Sequence, residues 1–334
     1  MFGYTHGEYF ALSFRRGITH GLPALVVLPL VVAGFILGWD RWVRRRRNPD
    51  AEPVRPAAIL ALSVLGLLTH PTLDWMNTYG MRWLLPFSDS WTYGDALFII
   101  DPWLWLGLGG AVFLSTSRGR SACIGWGLLG LVTSLLIFVA PLPLAGGVKV
   151  LWALGIATIA AAAATGRPQG PEGRRRLAST LGVTAVLYIG GMVAADLLAR
   201  RAVLDEAQAL GLEVRDLMVA PVPANPFAAD VEVLTEDGFV PGTHRWFTSP
   251  AVELFPERMV PLRTGPDGLS NADLDELISI AEREPVAHYW LEWARYPYVE
   301  VERVRGDWIV TFRDARYDGQ EGAGGLSGVV VRLD

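Results

Sequence analysis

Six uncharged, apolar stretches crowd the first two hundred residues, at 21–39, 56–73, 102–117, 121–148, 150–166 and 177–195. Each is close to the roughly 20 residues that a helix needs to cross a bilayer. A water-soluble fold has no use for six such runs. They predict an α-helical polytopic membrane bundle of about six transmembrane helices. The first run follows Arg15, Arg16 and His20 and has no small-residue cleavage pattern behind it, so it reads as a retained span rather than a cleaved secretory signal.

The charge balance divides the chain near Arg200. Residues 1–200 carry 17 Lys/Arg and 10 Asp/Glu, net +7, whereas residues 201–334 carry 12 and 24, net −12. Two domains are expected, a membrane-embedded one over 1–200 and a small soluble α+β domain over 201–334. In the latter, 212–219, 230–234, 307–312 and 328–333 alternate like strands, while 271–284 and 285–296 read as helices. Its aromatic run Tyr289, Trp290, Trp293, Tyr296, Tyr298 reads as core, and His244 and His288 stand in no metal-like pattern. An acidic domain of this kind gives no support for nucleic-acid binding. The single cysteine, Cys123, excludes an intrachain disulfide and a thiolate zinc cluster.

Arginine sets the orientation. Arg41, Arg44–Arg47 and Arg55 follow the first run, Arg118 and Arg120 the third, and Arg167 and Arg174–Arg176 the fifth. These are twelve of the seventeen basic residues in 1–200, all in alternate loops. The positive-inside bias assigns those loops to the cytoplasm. Six crossings from an outward start then leave the acidic domain outside the cytoplasm.

By that orientation the ionisable residues near the apolar runs collect at the outer ends of the helices: His20, His70, Asp74, Asp95 and Asp101. Such groups are expensive in or beside a bilayer and are functional candidates by default. His70 and Asp74 are four apart, so a helix continuing through Pro71 projects both from one face, where an imidazole and a carboxylate can share a metal ion. A ligand set of nitrogen and oxygen without thiolate suits zinc or manganese. Plainer readings stand beside these. Asp101 before Pro102 has the pattern of a helix N-cap. His20 can be an interfacial histidine, His70 and Asp74 a simple hydrogen-bonded pair, and Arg15 and Arg16 headgroup anchors. The functional alternative for Arg16 is to bind an anion such as phosphate. The aromatic residues between Trp75 and Trp105 read as an interfacial belt that also roofs the polar cluster.

Four ordered blocks carry a family resemblance: Arg15-Arg16-Gly17-Ile18-Thr19-His20; His70-Pro71-Thr72-Leu73-Asp74 with Asn77 and Gly80; Pro86-Phe87; and Phe98-Ile99-Ile100-Asp101-Pro102. With the topology, they resemble the YdjM-type family over residues 15 to about 200. Its members are bacterial inner-membrane proteins described as metal-dependent hydrolases, also as LexA-binding, membrane-associated hydrolases. The segments Trp293-Ala294-Arg295-Tyr296-Pro297 and Asp314-Ala315-Arg316-Tyr317 resemble the C-terminal region of longer members. The resemblance implies metal ligation by His20, His70, Asp74 and Asp101, with Arg16 beside them. One departure stands out: family members begin with a helix bearing a Thr-His pair, followed by a Pro-Asp-x-Asp element. Thr5-His6 lies too close to Arg16 to be that pair. A start upstream of Met1 or a partly lost site is the expectation.

The resulting expectation is an inner-membrane hydrolase using a divalent metal, zinc or manganese, at the outer face. Arg16 would neutralise developing charge and Asp95 would act as a base or support. Position at the lipid–water boundary suggests an amphiphilic, lipid-linked or phosphorylated substrate among membrane lipids. Likeness to the helix-borne His and Asp ligands of zinc phospholipases C favours a phosphoester. The rival reading is a non-catalytic membrane anchor whose acidic domain binds a protein partner; a transporter with a His/Asp proton relay is a third.

Overall fold

The computed structural model describes residues 7–98, 101–117, 119–139, 144, 146–166, 170–223, 225–317 and 324–333. Thr5-His6, Ile99-Ile100, Arg118 and Arg167 of the sequence reading lie outside these. In chain order the helices of the first part are α1 (Glu8–Phe14), α2 (Leu22–Arg47), α3 (Pro56–Trp75), α4 (102–116), α5 (Arg120–Val139), α6 (Gly146–Thr165) and α7 (Gly170–Ala209). There follow β1 (Asp216–Pro221), β2 (Ala228–Leu234), β3 (Gly238–Arg245), β4 (Val252–Leu254), β5 (Val260–Pro261) and β6 (Arg263–Thr264). The chain ends with α8 (Asn271–Glu282), α9 (Pro285–Trp293), β7 (Pro297–Val304), β8 (Asp307–Asp314) and β9 (Gly328–Leu333).

Five of these helices, α2, α3, α5, α6 and α7, are long and apolar enough to cross a membrane, and an α+β region follows them. The expected polytopic bundle is therefore present, with five long helices among the described residues. The third expected span is α4, only 15 residues from 102 to 116 and interrupted by a π turn at Trp105–Gly109. At 1.5 Å per residue it is about 22 Å long, against roughly 30 Å of hydrocarbon.

Contacts divide the chain into two compact units. One joins Met1–Gly94 and Leu234–Val240 to Arg258–Asp334; the other contains Asp95–Val233 and Pro241–Glu257. Composition changes at Arg200, but packing draws its boundary elsewhere.

In the first unit, α2 and α3 pack side by side. Proline stands in the first turn of each, where its missing N–H costs nothing. The turn between them is tied at Asp40, whose carboxylate accepts from Arg44 Nε and from the Val54 N–H. The C-terminal part of the unit is a four-stranded sheet in the order β6-β7-β8-β9, parallel between β6 and β7 and antiparallel elsewhere. β7 and β8 pair from Pro297↔Asp314 to Val304↔Asp307 around Arg305-Gly306. Both turn residues have positive φ, 56° and 108°, as a two-residue hairpin loop demands. Helices α8 and α9 cover this sheet through Leu274, Ala281, Ala287, Trp290 and Trp293, against Val299, Val301, Val310, Phe312, Val329 and Val331. The aromatic run expected as core is core: Trp290, Trp293, Tyr296 and Tyr298 are buried. The short α1 packs on α9 and adds Leu12 to the same cluster.

In the second unit, α7 runs for 40 residues, about 60 Å, twice what a crossing needs. It closes where Leu212 N–H reaches back to the Ala207 carbonyl and Gly211 takes φ +75°. Its C-terminal half packs on β1 and β4. There Arg200 joins Asp196, Asp95 and the Leu217 carbonyl at 2.9, 2.7 and 2.9 Å.

Candidate metal centre

Two local structures bring the candidate ligands together in the first unit. The first is the turn before α2. The Gly17 carbonyl accepts from the N–H groups of His20 and Gly21, and the turn is stitched to the segment 82–85 by Leu22 N–H to the Trp83 carbonyl. A Cβ on Gly21 would stand 2.5 Å from the Leu85 carbonyl oxygen, so only glycine allows this approach. The second is the end of α3, which continues through a buried Pro71 to Trp75. His70 and Asp74 consequently share a face, as their spacing predicts.

His20 Nε2 and His70 Nε2 lie 3.5 and 3.6 Å from Asp74 Oδ2, and the imidazole centroids are 5.4 Å apart. One ligand atom from each of the three residues lies within 4.8 Å of the others, which is close enough to surround a single ion. Thr19 Oγ1 is 2.9 Å from His20 Nδ1. With Nδ1–H donating to that hydroxyl, the Nε2 lone pair is turned toward Asp74, which is the tautomer a ligating histidine requires. His70 is two-thirds exposed, so the cluster is open on its side.

Arg16 stands behind the carboxylate. Its Nη2 is 3.5 Å from Asp74 Oδ1. Its Nη1 donates to the Asp74 carbonyl at 2.8 Å, to Asn77 Oδ1 at 2.8 Å and to the Gly80 carbonyl at 3.3 Å. The guanidinium also lies 4.6 Å from the centre of the Tyr79 ring. Burial draws the Arg16 pKa down while the Asp74 charge pulls it back, and a guanidinium has ample margin to stay cationic. Burial pushes the Tyr79 phenol up to about 12, so it remains a donor, and its OH reaches the Leu12 carbonyl at 3.1 Å. Arg16 is thus a clamp on the ligand carboxylate and on the loop after α3.

The remaining candidates lie in the second unit. Asp101 caps α4: Oδ1 accepts from the N–H groups of Trp103 and Leu104 at 3.0 Å each, and Oδ2 accepts from the Tyr188 OH at 2.7 Å. The plainer reading of Asp101-Pro102 describes this geometry in full. Asp95, fully buried, is paired with Arg200 at 2.7 Å. Among the described residues the metal-like cluster consists of His20, His70 and Asp74.

That geometry coincides with one comparison. Residues 2–143 match the YdjM inner membrane protein family. The matched stretch includes all three clustered ligands, Arg16, Asp95 and Asp101, and the chain has five helices long and apolar enough to cross a membrane among the described residues. The match ends before α6, and no curated protein or solved structure matches the chain.

Three participants had not been assigned a role from the sequence: Thr19 on His20, Asn77 between Arg16 and the Tyr79 N–H, and Tyr79 beneath Arg16. Thr19 and Asn77 lie within the blocks that carry the YdjM resemblance, which was the available signal. Tyr79 was indistinguishable from the interfacial aromatics around it.

Proposed function

We propose that this chain is a membrane-embedded, metal-dependent hydrolase whose site is built by the turn before α2 and the end of α3. The observation that carries the reading is the convergence of His20, His70 and Asp74 onto one point, with Thr19 orienting one ligand and Arg16 another. Two imidazole nitrogens and a carboxylate oxygen fit zinc or manganese and leave coordination positions open, as catalytic sites do. Such an ion supplies Lewis acidity, lowering the pKa of a water and polarising an acyl or phosphoryl oxygen. The chain's own residues do the rest. Thr19 keeps a proton on His20 Nδ1, Arg16 holds Asp74 ionised and in place, and the open side at His70 admits substrate. Asp101 is left out of the ligand set because both its oxygens are engaged at the start of α4.

The alternating arginine loops support a site and a C-terminal region on the non-cytoplasmic side. A site at helix ends favours an amphiphilic substrate with its ester at the membrane surface, a phosphoester first among them. The rival reading, a membrane anchor carrying a separate binding domain, sits poorly with a unit that joins Met1–Gly94 to Arg258–Asp334.

Metal analysis of detergent-purified protein by mass spectrometry, with a phosphoester hydrolysis screen, tests the proposal. Wild type is expected to hold about one zinc or manganese per chain, and H70A/D74A to lose both metal and hydrolysis. Equal metal content in the two proteins would overturn it.

A further inference from the structure

The C-terminal region beyond the YdjM match makes its own connection to the proposed site. Arg316 is buried against Asp314, its Nε and Nη2 donating to the carboxylate at 2.7–3.1 Å. Asp314 is fixed in turn by the N–H groups of Arg295 at 2.9 Å and Arg316 at 3.0 Å. Nη1 of Arg316 donates to the Thr78 carbonyl at 2.7 Å. Thr78 lies between Asn77 and Tyr79, the two residues that hold Arg16. The second connection is apolar: the Trp293 ring lies 5.2 Å from the Tyr79 ring and 4.6 Å from the Arg316 guanidinium, and Tyr79 carries Arg16 at 4.6 Å on its ring. Two routes, one hydrogen-bonded and one stacked, therefore run from the β8 end to the clamp on Asp74.

We infer that Arg316 and Trp293 are positioning residues of the His20/His70/Asp74 site: the C-terminal region sets the loop 77–80, the loop sets Arg16, and Arg16 sets the ligand carboxylate. The inference rests on the metal-site reading for its consequence, though not for the ordering of the loop. Charge alone is insufficient for the first route. A lysine at 316 keeps a cation beside Asp314 but lacks the planar fork that also reaches Thr78. A group that hydrogen-bonds a ligand directly is typically worth about 10- to 100-fold in metal affinity, and support relayed through the loop and Arg16 is expected at the lower end of that range.

The test uses the full chain in detergent with R316K, W293F and the control V331A, which opens the same core and removes no group of either route. Hydrogen exchange of the segments 15–21 and 76–82 is read first, then zinc affinity by chelator competition. R316K and W293F are expected to speed exchange in both segments and to weaken zinc binding by about tenfold or more, while V331A leaves both readouts at the wild-type level. Unchanged exchange and affinity in R316K and W293F would overturn the inference, as would equal changes in V331A, which would indicate a general loss of stability. If wild type binds no zinc, the metal reading fails by itself, and the exchange data still decide whether this region orders the loop. Should R316K not fold, W293F interrupts the stacked route with the ion pair intact.

Discussion

Asp74 faces two imidazoles with one oxygen and a guanidinium with the other, and that division of labour explains why Arg16 is unsuited to the role of free anion binder. Its Nη1 is shared among three acceptors and its flat face lies on Tyr79. A substrate phosphate would have to displace those contacts. Asp101 makes the complementary point, since the same residue can be a ligand or a cap and the distinction is measurable. Replacing Asp101 with alanine removes an N-cap worth about 1 kcal/mol and leaves the half-buried Tyr188 hydroxyl without this acceptor. D101A is expected to lower the melting temperature, D101N to recover much of the loss, and neither to change zinc affinity. A D101A protein that melts normally but holds no zinc would make Asp101 a ligand.

Among elements, the turn before α2 and the loop after α3 are shaped by glycines that side chains cannot replace. Gly80 has φ +82°, and a Cβ there would lie 2.3 Å from the Tyr93 ring. Its carbonyl is also one of the Arg16 acceptors. G80A is therefore expected to cost more than about 1 kcal/mol by denaturant or thermal unfolding and to weaken zinc binding with it. A G80A protein with wild-type stability would show that the loop relaxes freely. How much of this was legible depends on the period of the pattern. Regular alternation disclosed β8 and β9 to within two residues, and the 3.6-residue period with a polar start disclosed α8. β3 escaped because Gly238, Pro241 and Gly242 break its run, although β5 approaches Gly238 so closely that a Cβ would stand 2.2 Å from Val260 O. α1 has seven residues, too few for a period to register. Within the site, four-residue spacing made the His70–Asp74 pair visible. The orientation argument put His20, fifty residues earlier, at the same end of the bundle, but its place among the ligands came through family resemblance, because nothing local in either segment encodes the contact.

For the whole molecule, a charge count divides the chain at Arg200 because it reports which residues meet water, whereas the compact units report which residues meet each other. The difference constrains membrane topology. Residues of β6–β9 and α8–α9 share a unit with α1 and the loop after α3: Arg82 Nη1 reaches Glu292 Oε1 at 2.7 Å, and Trp91 Nε1 reaches the Glu292 carbonyl at 2.8 Å. Whatever side of the membrane the loop 76–94 occupies, the chain must return to it before Arg263, so the crossings in between are even in number. The helices α5, α6 and α7 are long and apolar enough to supply three. If these three cross, helix α4, short as it is, is expected to supply the fourth, its deficit of about 8 Å being of the size that local thinning of the bilayer accommodates. This count also puts the segment 117–120 on the same side as the arginine-rich loop 41–55, as the positive-inside bias requires. In a C123S background, single cysteines at Ser90 and Glu276 are expected to react with a membrane-impermeant maleimide on intact spheroplasts, and cysteines at Asn48 and Ser121 only after permeabilisation. Labelling of S121C in intact cells, with S90C and E276C also labelled, would overturn the crossing by α4 and, with the even count, require that one of α5, α6 and α7 does not cross.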